Sequence, residues 1–142
     1  MILFDINHVT ILRMLETDRR NRLVARMAMS PESISIPLIV AEENMRGWLA
    51  SIAKERDPCR QIDAYRELGN MFQFYARFSI VPFDESAVDQ FVELRRLKIR
   101  IGTMDLKIAA IALANDALLL TANRRDFEKV PGLRFENWID GD

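Results

Sequence analysis

The sequence has little of what many enzymes use for chemistry. It carries one cysteine, Cys59, and one histidine, His8, in 142 residues. A single cysteine excludes an intrachain disulfide framework and suits a reducing, cytoplasmic setting. A lone histidine excludes a metal site built from several imidazoles. An excess of one charge is also missing. Twenty Lys and Arg stand against 21 Asp and Glu, for a formal net charge of −1. A purely electrostatic nucleic-acid binder would be far more basic, so any positive surface must be local or supplied by a partner. The longest apolar run, Ile108 to Ala114, is far below the ~18 residues that suggest a membrane span. Asp5 interrupts the N-terminal apolar stretch, so no leader peptide is expected. No Gly/Ser/Pro-rich linker, repeat or low-complexity tract divides the chain, and one domain over 1–142 is expected.

What is present is ordinary globular material, 49% hydrophobic and 29% charged. Met1 to Phe4 reads as a buried strand ending at Asp5. A helix follows from Asn7, and a second covers Asp18 to Met29. The β-branched run Ile34 to Val40 reads as a strand entering a helix at Glu42 and Glu43, and Asp57-Pro58 ends that helix. Residues 59–78 read as an amphipathic helix through Ile62, Tyr65, Leu68, Phe72 and Tyr75. Ser79 to Phe83 is a short strand, and Asp84 caps the next helix. Thr103 is placed as the cap of an Ala-rich helix with Asp105 in its first turn. Ala117 to Thr121 is a strand, Asn123 to Asp126 a polar turn, and Arg134-Phe135 a last strand. This alternation predicts an α/β fold with a mostly parallel sheet of four to five strands flanked by helices.

In such sheets chemistry gathers at the carboxyl ends of the strands. Asp5 ends the first strand, Glu43 follows the second, Asp105 opens the helix before the fourth, and Asp126 lies just past the fourth. Any one of these acids, taken singly, is more often a helix cap or dipole partner. Together they form a set of oxygen ligands without His or Cys, which points to Mg²⁺ or Mn²⁺.

The chain resembles the PIN-domain ribonucleases, especially toxins of the VapC type. The resemblance rests on Leu3-Phe4-Asp5-Ile6-Asn7, Glu43-Asn44-Met45-Arg46-Gly47, Gly102 to Ala110, and Leu120 to Phe127. It continues through Val130-Pro131-Gly132-Leu133 and Glu136-Asn137-Trp138, so it covers nearly the whole chain. It implies a three-layer PIN-like fold in which Asp5, Glu43, Asp105 and, as the fourth acid, Asp126 are the catalytic and metal-binding positions. Asn7, Asn123, Arg124 and Arg125 are the implied substrate contacts. Two departures stand out: Ile6 replaces a Thr or Ser, and Ala122 replaces an Asn or Arg. Glu42 and Glu43 point about 100° apart on a helix. The spacing to Gly47 favours Glu43 for the site and leaves Glu42 at the rim.

The implied activity is Mg²⁺-dependent endoribonuclease cleavage. A metal lowers the pKa of bound water and neutralises the scissile phosphate, leaving a 5′-phosphate and a 3′-hydroxyl. The implied partners are the RNA substrate, a cognate antitoxin protein and a second copy of the chain, with no membrane. Arg95, Arg96, Lys98 and Arg100 read either as a solvated helix face or as phosphate contacts. Phe74, off the main stripe of its helix, reads as a core residue first and as an interface residue second. His8 reads as a surface or interface residue, and Cys59 as an inert loop residue. One alternative is a catalytically weak or inactive PIN-like binding module, which Ile6 and Ala122 would favour. Another is a phosphatase with an Asp nucleophile, but Asn7 stands where its second Asp is needed.

Overall fold

Short apolar runs form the strands here, and the amphipathic stretches between them form the helices. The computed structural model describes residues 1–141. In chain order the elements are β1 (Ile2–Phe4), α1 (Ile6–Arg13), α2 (Asp18–Met29), β2 (Ile34–Pro37), α3 (Leu38–Lys54) and α4 (Pro58–Tyr75). They continue with β3 (Ser79–Val81), α5 (Glu85–Arg96), α6 (Thr103–Ala114), β4 (Leu118–Leu120), α7 (Arg124–Phe127) and β5 (Arg134–Glu136). The strands make one sheet in the order β3-β2-β1-β4-β5, and every pairing is parallel.

Successive residues of a strand face opposite sides of a sheet. Ile2, Leu3 and Phe4 of β1 are nevertheless all buried, as are Leu119 and Leu120 of β4. Both faces of the sheet centre are therefore covered by helices, which gives three layers. α6 is buried nearly all round, and its Ala109, Ala110 and Ala112 permit close approach to α5 and β4. The turn Val130-Pro131-Gly132-Leu133 returns the chain to β5. Leu133 N–H donates to the Val130 carbonyl, and Gly132 has φ +77°. Proline at the second position and a left-handed glycine at the third are what a type II turn requires. Among the described residues no helix is long and apolar enough to cross a membrane.

Several local expectations need correction. β2 stops at Pro37 and α3 begins at Leu38, so Ile39 and Val40 are helical. Pro37 needs no N–H at the helix boundary, and burial of Ile39 and Val40 outweighs their strand preference. Gly102, not Thr103, holds the cap position of α6. The polar turn after β4 is the short helix α7, capped by Asn123, whose side chain accepts from Asp126 N–H. Cys59 lies in the first turn of α4, exposed.

The buried face of α4 is also rotated from the expected stripe. Tyr75 is buried as expected and Met71 and Phe74 are buried with it, whereas Ile62, Tyr65 and Phe72 are exposed. Phe74 is thus a core residue, with its ring 5.0 Å from that of Phe78. His8 is wholly buried, because the C-terminal segment folds over it and Trp138 N–H donates to its Nε2.

Candidate active site

β1 has β2 on one side and β4 on the other, so the carboxyl ends of β1 and β4 border the topological switch point of the sheet. Asp5 extends the pairing there by one residue, its N–H donating to the Leu120 carbonyl at 2.9 Å. It also caps α1. One carboxylate oxygen accepts from Ile6 N–H at 2.7 Å and the other from the Thr121 hydroxyl at 2.7 Å. Asp5 is buried, and burial pushes its carboxyl pKa up against these two bonds, which favour the charged form.

Glu43 lies in the second turn of α3. Its pKa is raised to about 7, first by burial and then by the charges of Asp5, Asp105 and Glu42. Asp105, in the first turn of α6, is raised to about 6 by burial and then by Asp5 and Asp126, against a hydrogen bond from Asn123. This mutual repulsion links all four candidate acids. Asn123 joins two of them directly, its Nδ2 donating to Asp105 at 3.3 Å and to Asp126 at 3.0 Å. Glu42 points away into an ion pair with Arg46 at 2.6 Å, which leaves Glu43 as the acid at the centre.

Asn7 accepts from Ala122 N–H at 3.3 Å and so ties α1 to the segment after β4. Its side chain positions the loop as well as bordering the site. Arg124 and Arg125 stand exposed on α7, and Arg124 has Glu128 at 3.9 Å. The run before α6 is partly committed elsewhere. Arg96 makes two bonds to Glu93, and Arg95 lies 5.5 Å from the centre of the Phe91 ring.

Two contributors escaped the sequence reading. Thr121 supplies to Asp5 a hydroxyl that the isoleucine at position 6 cannot. A threonine ending a strand carries no sign of this, because its partner is distant in sequence. The second is Asn44, whose side-chain oxygen accepts from Tyr75 at 3.1 Å and from Arg13 at 3.3 Å. These bonds from α4 and α1 pin α3 one residue beyond Glu43. The Tyr75 hydroxyl is pushed up to about 12, mainly by burial, and stays a donor.

The donor set suits a hard divalent cation. Carboxylate oxygens are its preferred ligands, and each oxygen of Asp5 keeps a second lone pair beside its hydrogen bond. A cation would also relieve the repulsion that raises Glu43 and Asp105. Among the described residues, however, no three His, Cys, Asp or Glu side chains are already arranged to hold an ion. Closure on a metal therefore requires side-chain adjustment, for which half-buried Glu43 and Asp105 have room. A cavity of about 780 Å³ lies away from the acids between α1, α2 and α4.

Comparison with known proteins identifies the family and the fold. The family model described as PIN domain matches residues 9–133. That span begins just after Asp5, whose place at the site rests on the geometry. The chain is 36% identical over 110 residues to Ribonuclease VapC2 of Rickettsia felis, covering 75% of each chain. It is 27% identical over 117 residues to the tRNA(fMet)-specific endonuclease VapC of Salmonella typhimurium, covering 80% of this chain and 81% of that protein. Among solved structures it resembles VapBC2 from Rickettsia felis bound to a promoter DNA fragment. The TM-score is 0.71 at 26% identity, with 97% of this chain and 99% of that chain covered.

Proposed function

The chain belongs to the PIN-domain family, and from that membership we propose that it is a metal-dependent endoribonuclease acting as the toxin of a toxin-antitoxin pair. The observation that carries the reading is the grouping of Asp5, Glu43 and Asp105 at the switch point, where burial raises all three pKa values and the charge of Asp5 raises those of Glu43 and Asp105 further. Such a cluster binds a divalent cation in exchange for protons. Asp5, Glu43 and Asp105 would hold the ion, with Asp126 as the fourth acid. Bound there, Mg²⁺ or Mn²⁺ supplies an activated water and neutralises charge on the scissile phosphate. Thr121 and Ile6 N–H fix the Asp5 carboxylate. Asn123 holds Asp105 and Asp126 together, and Arg124 and Arg125 offer donors to the RNA backbone.

Partners follow from the same reading. The similar solved structure at 26% identity is of VapBC2 on a promoter DNA fragment, which supports an antitoxin partner for this chain. The 780 Å³ cavity, walled by Leu12, Met14, Val24 and Phe74 and edged by Arg13 and Arg77, suits an apolar and acidic segment of such a partner. The exposed Ile62, Tyr65 and Phe72 of α4 support a homodimer.

The deciding experiment incubates purified, antitoxin-free chain with structured RNA, including initiator tRNA, with Mg²⁺ or Mn²⁺ and with chelator. Cleavage that needs metal and fails in Asp105→Asn supports the reading. Intact RNA under every metal condition overturns it. Among the described residues no ligand trio is preassembled, which favours a second reading, a PIN-like module without catalysis. Calorimetric titration that detects no Mg²⁺ binding would select it.

A further inference from the structure

Thr121 has a second environment. Besides holding Asp5, it lines a cavity of about 580 Å³ whose other walls include Arg26, Arg124, Phe135, Glu136 and Asn137. Three elements converge there: α2 brings Arg26, α7 brings Arg124, and the edge strand β5 brings Phe135 and Glu136. The cavity is therefore linked to the carboxylates through Thr121, which lines it and bonds Asp5. Its volume falls in the range of small-ligand sites.

The wall chemistry is divided. Arg124 has a side chain 84% exposed, and its nearest acid, Glu128, stands at 3.9 Å, so its donors stay available. Arg26 is fixed, lying 5.0 Å from the centre of the Trp138 ring and 3.4 Å from Glu136. Glu136 also accepts from Trp138 Nε1 at 2.7 Å, so its carboxylate is anchored on the Arg26 side. Phe135 is half-buried, packed against the core and among the residues that line the cavity. An anionic group is thus drawn to Arg124 and repelled by Glu136, while a flat apolar group is accepted at Phe135.

We propose that this cavity binds one nucleotide of a single-stranded RNA beside the bond that is cut, its phosphate on Arg124 and its base against Phe135. The inference rests on the ribonuclease reading and adds to it a defined subsite. Stacking on an aromatic ring is tolerant of sequence, and a phosphate contact adds salt dependence. The cavity also explains how an acidic centre on a chain of net charge −1 engages RNA: the flanking nucleotide, not the scissile phosphate alone, supplies the grip.

The test is polarisation binding of a fluorescein-labelled RNA octamer, run beside cleavage of the same octamer in Mg²⁺. Phe135→Leu keeps an apolar side chain in the core, and Arg124→Ala alters only an exposed one. Each should weaken octamer binding and raise KM roughly tenfold while kcat changes little. Arg124→Ala should also lower the salt slope by about 0.7. Wild-type cleavage with unchanged affinity and KM in both variants overturns the subsite and leaves the ribonuclease reading intact. No wild-type cleavage, with octamer binding still weakened in both variants, overturns the ribonuclease reading and keeps the subsite. Weakened binding in Arg124→Ala with a well-folded Phe135→Leu unchanged also rejects the subsite, because the backbone contact then acts without a base at Phe135.

Discussion

The hydroxyl of Thr121 donates a 2.7 Å hydrogen bond to the buried carboxylate of Asp5, joining the ends of β4 and β1 across 116 residues of sequence. The bond opposes the rise in the Asp5 pKa that burial causes. Thr121→Val keeps the shape and removes the donor. The variant should lose about 1–3 kcal/mol of stability, because a buried acceptor is left unpaired. Its metal affinity should fall on the order of 10–100-fold, as when a ligand loses its supporting partner. Denaturant unfolding and Mg²⁺ titration check both, and Thr121→Ser should restore them. A valine variant with wild-type metal affinity would remove Thr121 from the site.

Asp5→Asn and Asp105→Asn should each reduce RNA cleavage by more than roughly 100-fold, since a cation ligand outweighs its supporting contacts. Folding should survive. An asparagine at position 5 can still accept from Ile6 N–H, and Thr121 can turn its hydroxyl to accept from the new amide. Circular dichroism and single-turnover cleavage together test this. A folded variant cleaving at the wild-type rate refutes the assigned roles.

How much of this could be read from the sequence depended on range. β1, β4 and the four acids announced themselves because an apolar strand ending in an acid, or a helix opening with one, is a local pattern. α2 was legible to the residue for the same reason. The roles of Thr121 and Asn44 were not, because each is defined by a partner distant in the chain. The exposed side of α4 was misassigned because Ile62, Tyr65 and Phe72 fit helical spacing with Tyr75 as well as Met71 and Phe74 do. Only the placement of α3 decides which set is buried.

Metal binding should strengthen with pH. Glu43 is raised to about 7 and Asp105 to about 6, mainly by burial, and only their ionised forms bind a cation. Between pH 8 and pH 6 proton competition at Glu43 should weaken Mg²⁺ binding roughly tenfold, with Asp105 adding to it. Without a cation these raised carboxyl values contribute stability below the unfolded pKa, and that contribution is lost as pH climbs through 6 to 7. Added Mg²⁺ should return it. Calorimetry in two buffers of different ionisation heat would detect the released protons. Equal affinity at pH 6 and pH 8 would contradict this account, and Glu43→Gln should abolish the upper step.

His8 should have the opposite pH dependence. Its Nε2 accepts from Trp138 N–H at 3.1 Å, which places the proton of the neutral ring on Nδ1, an atom with no hydrogen-bond partner. Burial lowers its pKa to about 4, with Asp140 raising it and Arg19 lowering it further. The unfolded chain therefore takes up a proton first as the medium is acidified. The stabilisation is complete above the unfolded value near 6.5 and is lost as pH falls through that value towards 4. Glu43 and Asp105 act in the other direction over part of this range, so the comparison must be made against a variant. His8→Gln does not titrate and retains an acceptor for Trp138 N–H. The stability advantage of the wild type over His8→Gln should shrink by roughly 2 kcal/mol between pH 7 and pH 5. Denaturant melts followed by tryptophan emission measure it. A difference that stays constant with pH would show that His8 is not held neutral, and that the C-terminal segment is fastened over it by something other than this bond.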